Sequence, residues 1–137
     1  AIIQKHTTLG AASALAGNRG PFDRAVREVV LYHHARWDGN GYPSHAQIVE
    51  LYTKNGWDLS SAPEPRGESI PLFGRIVAVA DVFDALMSRR AYKEAWTPAE
   101  VRAEFERSAG THFDPELVEL LVADFGAFCQ IHAVVSD

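Results

Sequence analysis

Apolar residues recur along this chain at helical spacing, and glycines and prolines interrupt the pattern where helices would end. Residues 2–16 predict a first helix, which stops at the glycine-containing segment 17–20. Pro21 suits the first turn of a second helix, because proline gives up no helical hydrogen bond there. One face of that helix carries residues at i, i+3, i+4 and i+7 spacing: Val26, Val29, Val30 and His33.

The segment after the second helix is rich in turn formers. The helix must end by Gly39, and we expect Gly41 to provide a turn with positive φ before Tyr42 and Pro43. Ser44 and Gln47 then form a capping box for a short helix. Its predicted inward-facing residues are Ile48, Leu51 and Tyr52. Residues 57–69 contain prolines and a glycine and predict a loop.

The second half of the chain predicts three more helices. Residues 71–88 are apolar on nearly every side, which is typical of a central, buried helix. Residues 97–100 form a capping box with proline at the first helical position, and that helix is predicted to run to Gly110. Asp114 begins the last helix, which carries Leu117, Leu120, Leu121 and Phe125. Because no segment shows strand alternation, we predict an all-α fold and one domain, residues 1–137.

Composition narrows the functional classes. With 47% hydrophobic and 23% charged residues, the 137-residue chain has an ordinary globular composition. A net charge of -5 argues against binding to duplex nucleic acid. No segment approaches the roughly 20 apolar residues of a membrane span. Cys129 is the only cysteine, which fits a reducing compartment such as the cytoplasm.

The adjacent residues His33 and His34 are the strongest chemical signal. Imidazole is the commonest side chain that binds Zn, Fe and Mn, and neighbouring rings can reach one or two metal ions without movement of the backbone. A histidine pair alone is weak evidence. The pair gains weight because His6 lies upstream and an acidic residue, Asp81, lies within the apolar segment downstream.

Asp81 demands an explanation because its neighbours are apolar. A buried carboxylate must be paired, hydrogen-bonded or bound to metal. An ion pair with Arg75 is one account, although residues six apart point to different sides of a helix. The residues alone leave both accounts open, and the histidine pair favours a metal. Asp84, one turn further on, is expected either to orient a ligating histidine or to form an ion pair.

Two segments, 33–43 (HHARWDGNGYP) and 70–86 (IPLFGRIVAVADVFDAL), contain rare residues at fixed places. In this order they closely resemble the HD-GYP branch of the HD phosphohydrolase superfamily, and the resemblance covers residues 3–43 and 70–122. It implies an HD-type helical bundle. It also implies four metal ligands: His6, His33, His34 and Asp81. The last three of these are the implied catalytic residues.

The resemblance further implies cofactor and substrate contacts. The ligand set would hold two or three divalent ions, with Fe or Mn favoured over metals that prefer thiolates. Arg90 and Lys93 match phosphate-binding positions, although the residues alone favour a cationic helix end. Tyr42 is expected to stack on a guanine or, alternatively, to pack within its own turn.

Family members with this motif hydrolyse cyclic di-GMP, a bacterial second messenger, by attack of a metal-activated water on a phosphodiester. The resemblance therefore implies a metal-dependent phosphodiesterase. A catalytically inactive sensor is the alternative: it would bind a cyclic dinucleotide or present Gly39, Gly41, Tyr42 and Pro43 to GGDEF-domain partners. A third hypothesis keeps the enzyme and changes the substrate to another cyclic dinucleotide. A homodimer is a further expectation.

The sequence departs from the family in two places. The His-Asp pair expected upstream of His6 is absent, and the helical pattern is already under way at Ala1. We therefore expect the C-terminal part of a domain, incomplete at its N-terminus and nearly inactive alone. Residues 45–66 predict an insertion after the Gly-Tyr-Pro turn, which we expect to be a tolerated surface segment rather than a lid or partner surface.

Overall fold

The computed structural model describes residues 3–14, 21–89 and 94–135 of the chain. Within these ranges the fold is all-α, as predicted, and the single backbone bridge joins Ala109 to Phe113. Short 3-10 turns occupy Ile3–Lys5, Leu59–Ser61 and Gly67–Ser69. The α-helices are α1 (His6–Ala14), α2 (Pro21–Tyr32), α3 (His45–Asn55), α4 (Leu72–Met87), α5 (Pro98–Ser108), α6 (Pro115–Ala123) and α7 (Phe125–Val135).

Both predicted capping boxes are confirmed. The Gln47 backbone N–H donates to Ser44 Oγ at 3.4 Å, and the Ser44 N–H donates to Gln47 Oε1 at 2.8 Å. Thr97 and Glu100 repeat the exchange at the start of α5, at 3.3 and 2.8 Å. Each box satisfies N–H groups that have no partner within the helix, which explains why these two helices begin where the sequence indicates.

The predicted single last helix is wrong, because the chain bends by 80° between α6 and α7. Asp114 caps α6 as expected, accepting from the Glu116 N–H at 2.9 Å. Asp124 then leaves the helical conformation (φ -127°, ψ 35°), and Phe125 turns inward to meet Phe83 edge to face at 5.8 Å. Among the described residues no single helix is long and apolar enough to cross a membrane, and α6 and α7 meet that criterion only as a bent pair.

Among the described residues, two hydrophobic clusters make up the core. The first lies among α1, α2, α3 and the loop before α4, and includes Leu31, Tyr32, Ile48 and Ile70. The second lies among α4 to α7, and includes Phe83, Val101, Phe105 and Leu121. Helix α4 joins the two clusters, since its Gly74 packs on α2 and its Phe83 belongs to the second cluster.

Residues 45–66 lie at the surface only in part. Ile48, Leu51 and Tyr52 are buried on the inner face of α3. The Tyr32 hydroxyl donates to the Pro63 carbonyl oxygen at 2.9 Å, which ties the following loop to α2. The apolar face of α3 was visible in the sequence, and its burial follows from that face. That these residues form an insertion stays a prediction.

The charged residue Arg75 pairs with Asp114, not with Asp81. Arg75 Nη1 donates to Asp114 Oδ2 at 2.6 Å, and the Asp114 side chain is 2% exposed. Arg75 Nε also donates to the Ile70 carbonyl oxygen at 2.9 Å. The pair therefore connects the start of α4 to the cap of α6, and the ion-pair account of Asp81 is wrong.

Truncation of Ile48, which is fully buried, tests the core role of α3. We expect Ile48→Ala to lower the free energy of unfolding by about 2–5 kcal/mol, because it leaves a cavity in the first cluster. Leu59→Ala is the matched control in the same segment, since Leu59 is 48% exposed, and should cost less than about 1 kcal/mol. Chemical denaturation measures the free energy of unfolding of both variants. Equally small losses in the two variants would contradict a core role for Ile48.

Candidate metal centre

Three histidines meet where α1 begins and α2 ends. His6 is the first residue of α1, and His33 and His34 directly follow Tyr32, the last residue of α2. Their rings lie close together, with centroid distances of 5.4 Å (His6 to His33), 5.0 Å (His6 to His34) and 4.1 Å (His33 to His34). One ligand nitrogen from each ring lies within 4.8 Å of the other two. The structure thus brings together three of the four ligands that the resemblance implies.

The backbone of α2 fixes which nitrogen of His33 is available. His33 Nδ1 lies 3.0 Å from the carbonyl oxygens of both Val29 and Val30. Carbonyl oxygens only accept, so Nδ1 carries the proton and donates it. The lone pair is then on Nε2, the atom that faces His6. Metal-binding histidines are commonly oriented in this way.

The spacing of the two facing nitrogens suits a common ion. His6 Nε2 and His33 Nε2 are 3.3 Å apart. Two imidazole nitrogens about 2.1 Å from one ion, at an angle near 90–110°, are roughly 3.0–3.4 Å apart. Two imidazoles that share a proton would be the same distance apart, so this distance alone does not distinguish a metal site from a hydrogen bond. The third histidine favours a metal site, because a hydrogen bond between His6 and His33 does not need it.

The His34 imidazole is half-buried, and the rings of Tyr42 and His33 pack against it. Its ring stacks on Tyr42, with centroids 4.7 Å apart and planes inclined by 25°. Burial lowers the pKa of His34, the neighbouring His33 and His6 lower it further, and Asp81 acts in the opposite direction. A lowered pKa keeps the imidazole neutral at physiological pH, and the neutral form is the one that can bind metal.

Asp81 lies on the same side of the molecule, but it is exposed. Asp81 is therefore not the buried carboxylate that its apolar neighbours predict. Helix α4 also carries exposed apolar residues, Leu72, Phe73 and Ile76 at 43–51% exposure, so the described helices do not enclose it on every side. The Asp81 charge still interacts with both His34 and Tyr42: it opposes the lowering of the His34 pKa, and it contributes to the raised pKa of Tyr42. For Tyr42, burial is the larger cause.

The turn after the histidines folds back on them. Gly39 has the positive φ, at 82°, and Gly41 does not, so our expectation for Gly41 is wrong. Gly41 is required for space instead, since a Cβ there would lie 2.5 Å from both the His34 carbonyl oxygen and the Arg36 nitrogen. Tyr42 N–H donates to that same carbonyl oxygen at 3.2 Å.

Asp38, which was not among the residues predicted from the sequence, holds this turn in shape. Asp38 accepts from Arg36 Nε and Nη2 at 3.1 and 2.8 Å and from the Asn40 N–H at 2.9 Å. These hydrogen bonds hold the pKa of Asp38 well below its usual range, and the bond with Arg36 has the largest effect. The signal was present in the sequence, because an aspartate before glycine and asparagine commonly accepts from the backbone two residues ahead.

The other predicted residues lie apart from the cluster or outside the described ranges. Asp84 contacts Ser88 Oγ and His132 Nε2, each at 3.3 Å, at the rim of an apolar groove of about 460 Å³ among α4, α6 and α7. It is thus placed beside His132 rather than among the three histidines. Arg90 and Lys93 lie outside the described residues. Of the proposed partner surface, Gly39 is exposed, Gly41 and Tyr42 are half-buried, and Pro43 is fully buried.

Comparisons with known proteins agree with this geometry. Two HD-domain family models match the chain, one over residues 1–86 and the other over residues 57–117. The 3'3'-cGAMP-specific phosphodiesterase 2 of Vibrio cholerae is 37% identical over 137 residues, 100% of this chain and 22% of the relative. The cyclic di-GMP phosphodiesterase response regulator RpfG of Xanthomonas campestris is 39% identical over 121 residues, 88% of this chain and 27% of the relative.

A third relative is the cyclic di-GMP phosphodiesterase of Thermotoga maritima, 35% identical over 136 residues, which are 99% of this chain and 30% of the relative. The chain therefore spans about a quarter of the length of the curated relatives it matches. The first family model covers well over half of the chain, including all three histidines and Asp81. The chain belongs to the HD-domain family and, by its His-His and Gly-Tyr-Pro segments, to the HD-GYP branch of that family.

Proposed function

We propose that this chain is part of a metal-dependent phosphodiesterase that hydrolyses cyclic di-GMP. The observation that carries the proposal is the cluster of His6, His33 and His34, whose ligand nitrogens lie within 4.8 Å of one another. The similarity to phosphodiesterases of cyclic dinucleotides supports the reaction and the substrate class.

His6, His33 and His34 would hold a divalent ion through ring nitrogens, and Asp81 would add a carboxylate oxygen from α4. A set of nitrogen and oxygen donors without thiolate suits Fe or Mn, and two or three ions are proposed. When bound, such ions lower the pKa of water and neutralise charge on phosphate oxygens. His33 contributes by keeping its proton on Nδ1, and His34 contributes by staying neutral.

The substrate would approach the open side of the cluster, where His6 and Asp81 are exposed. One face of the Tyr42 ring is taken by His34, so a guanine can stack only on the other face. Arg90 and Lys93 are proposed to hold phosphate oxygens, as the family resemblance implies. Of the two roles expected for Asp84, the contact with His132 supports the ion pair rather than the orientation of a ligating histidine.

A second substrate has specific support, because a relative that matches the whole chain is named for 3'3'-cGAMP. The rates at which the intact protein that carries this chain hydrolyses cyclic di-GMP and 3'3'-cGAMP, measured side by side, distinguish the two substrates. An inactive module would bind a cyclic dinucleotide without hydrolysing it. We also propose GGDEF-domain cyclases and a second copy of this chain as candidate partners. The proposed location is the cytoplasm.

The metal ligands are tested by substitution in that intact protein. We expect His33→Ala, His34→Ala and Asp81→Ala each to lower the metal affinity at least about tenfold. Metal content and hydrolysis of cyclic di-GMP should therefore fall together. The fold should be retained, because all three side chains are partly or fully exposed. Elemental analysis, enzyme assay and circular dichroism on the same preparations measure these effects.

His45→Ala is the matched control, since His45 is an exposed histidine at the start of α3 outside the cluster. It should keep full metal content and full activity. Full metal content in all three variants at 33, 34 and 81 would contradict the proposed ligand set.

Phosphate binding is tested separately at Arg90. We expect Arg90→Ala to keep its metal but to weaken binding of cyclic di-GMP by about 1.5–3 kcal/mol, the value of a charge-assisted hydrogen bond. Arg90→Lys should also weaken binding, because lysine cannot make the bidentate contact. Calorimetric titration measures both, and unchanged affinity in both variants would remove Arg90 from the substrate site.

A further inference from the structure

The Gly41-Tyr42-Pro43 turn packs directly on the end of α2. Gly41 approaches the backbone so closely that even a methyl group would lie 2.5 Å from the His34 carbonyl oxygen. That carbonyl oxygen accepts from the Tyr42 N–H at 3.2 Å. Pro43, the last residue of the turn, is among the most deeply buried side chains. The turn is thus attached to His34 by its backbone and anchored in the core by its proline.

The side chain of Tyr42 completes this contact. Its ring covers one face of His34 at 4.7 Å and 25°, while His33 lies against His34 at 4.1 Å and 44°. The Tyr42 ring also meets His6 edge to face, at 6.3 Å and 81°. An imidazole stacked on another ring cannot tilt about its terminal torsion without displacing that ring. The plane of the His34 ring is therefore held by Tyr42.

We propose that Tyr42 is a positioning residue, whose ring holds the His34 imidazole in the orientation that binds metal, and that Gly41 permits the approach. This inference rests on the metal centre of the proposed function. It gives the Gly-Tyr-Pro turn an internal role, in contrast to the partner surface expected from the sequence. The half-buried tyrosine and buried proline agree with an internal role, since a protein partner could reach little of either.

The rival roles of Tyr42 predict different measurements. If the ring mainly stacked on a guanine, its removal would raise KM and leave metal affinity unchanged. If it mainly contacted a partner protein, both metal affinity and hydrolysis by the purified enzyme would be unchanged. Only a positioning role lowers the affinity for the metal, and it does so in the absence of any nucleotide.

The experiment is a titration of the metal-free intact protein with Mn²⁺ and Co²⁺, followed by calorimetry and by the Co²⁺ absorption spectrum. Tyr42→Phe keeps the flat ring and should bind both metals like the wild type. Tyr42→Leu keeps an apolar side chain but loses the flat ring, and should lower metal affinity about tenfold and alter the Co²⁺ spectrum. Thermal unfolding of the metal-free variants shows that they are folded.

Gly41→Ala tests the same contact from the backbone side, since it retains the Tyr42 ring and pushes the turn away from His34. It should reproduce the loss of metal affinity, and it carries the test by itself if Tyr42→Leu does not fold. Wild-type metal affinity in Tyr42→Leu, or in Gly41→Ala, would overturn the positioning role. If the wild type itself bound no metal, the proposed function would fail first, and this inference with it.

Discussion

The histidine cluster depends on the close packing of α2 on α4. A glycine in α4, Gly74, permits that close packing. A Cβ on Gly74 would lie 2.6 Å from the Cβ of Tyr32, so any other residue there would push the two helices apart. Tyr32 ends α2 immediately before the histidine pair, and Asp81 lies about two turns beyond Gly74 on α4. The contact therefore places the histidines and the carboxylate on neighbouring elements, near enough for their charges to interact.

The histidines are held in place by contacts within the protein. The carbonyl oxygens of Val29 and Val30 hold the proton on His33 Nδ1, and the turn through Gly41 and Tyr42 packs against His34. Such contacts lower the entropic cost of binding, because the ligands need little reorganisation when an ion arrives. The same contacts explain why histidines at a helix end can form a precise site: the end of α2 is fixed from both sides.

Local signals were sufficient for much of the fold. The capping boxes at Ser44 and Thr97 depend on residues three positions apart, and both helices start where the sequence predicts. The errors arose where distant residues decide the structure. The break before Phe125 depends on its contact with Phe83, and the partner of Arg75 is 39 positions away in sequence. Similarly, the histidine cluster could be suspected from the pair and the family resemblance, whereas the stacking of Tyr42 on His34 required the structure.

The exposure of Asp81 shows why a sequence argument about burial can mislead. Its neighbours in α4 are apolar, yet Asp81 itself is exposed in the described chain, so the carboxylate needs no buried partner. Its proposed role as a ligand then depends on the family resemblance and on the interaction of its charge with His34, rather than on the cost of desolvation. A metal ligand need not be buried, but its donor atom must lie within bonding distance of the ion.

The structure leads us to propose that His6, His33 and His34 bind one metal centre. A crystal structure of the Mn²⁺-loaded intact protein, with anomalous diffraction at the Mn edge, would locate the ions. We expect an anomalous peak about 2.0–2.3 Å from both His6 Nε2 and His33 Nε2, with His34 and Asp81 bound to that ion or to a neighbouring one. A fully loaded protein whose anomalous peaks lie away from all three histidines would contradict it.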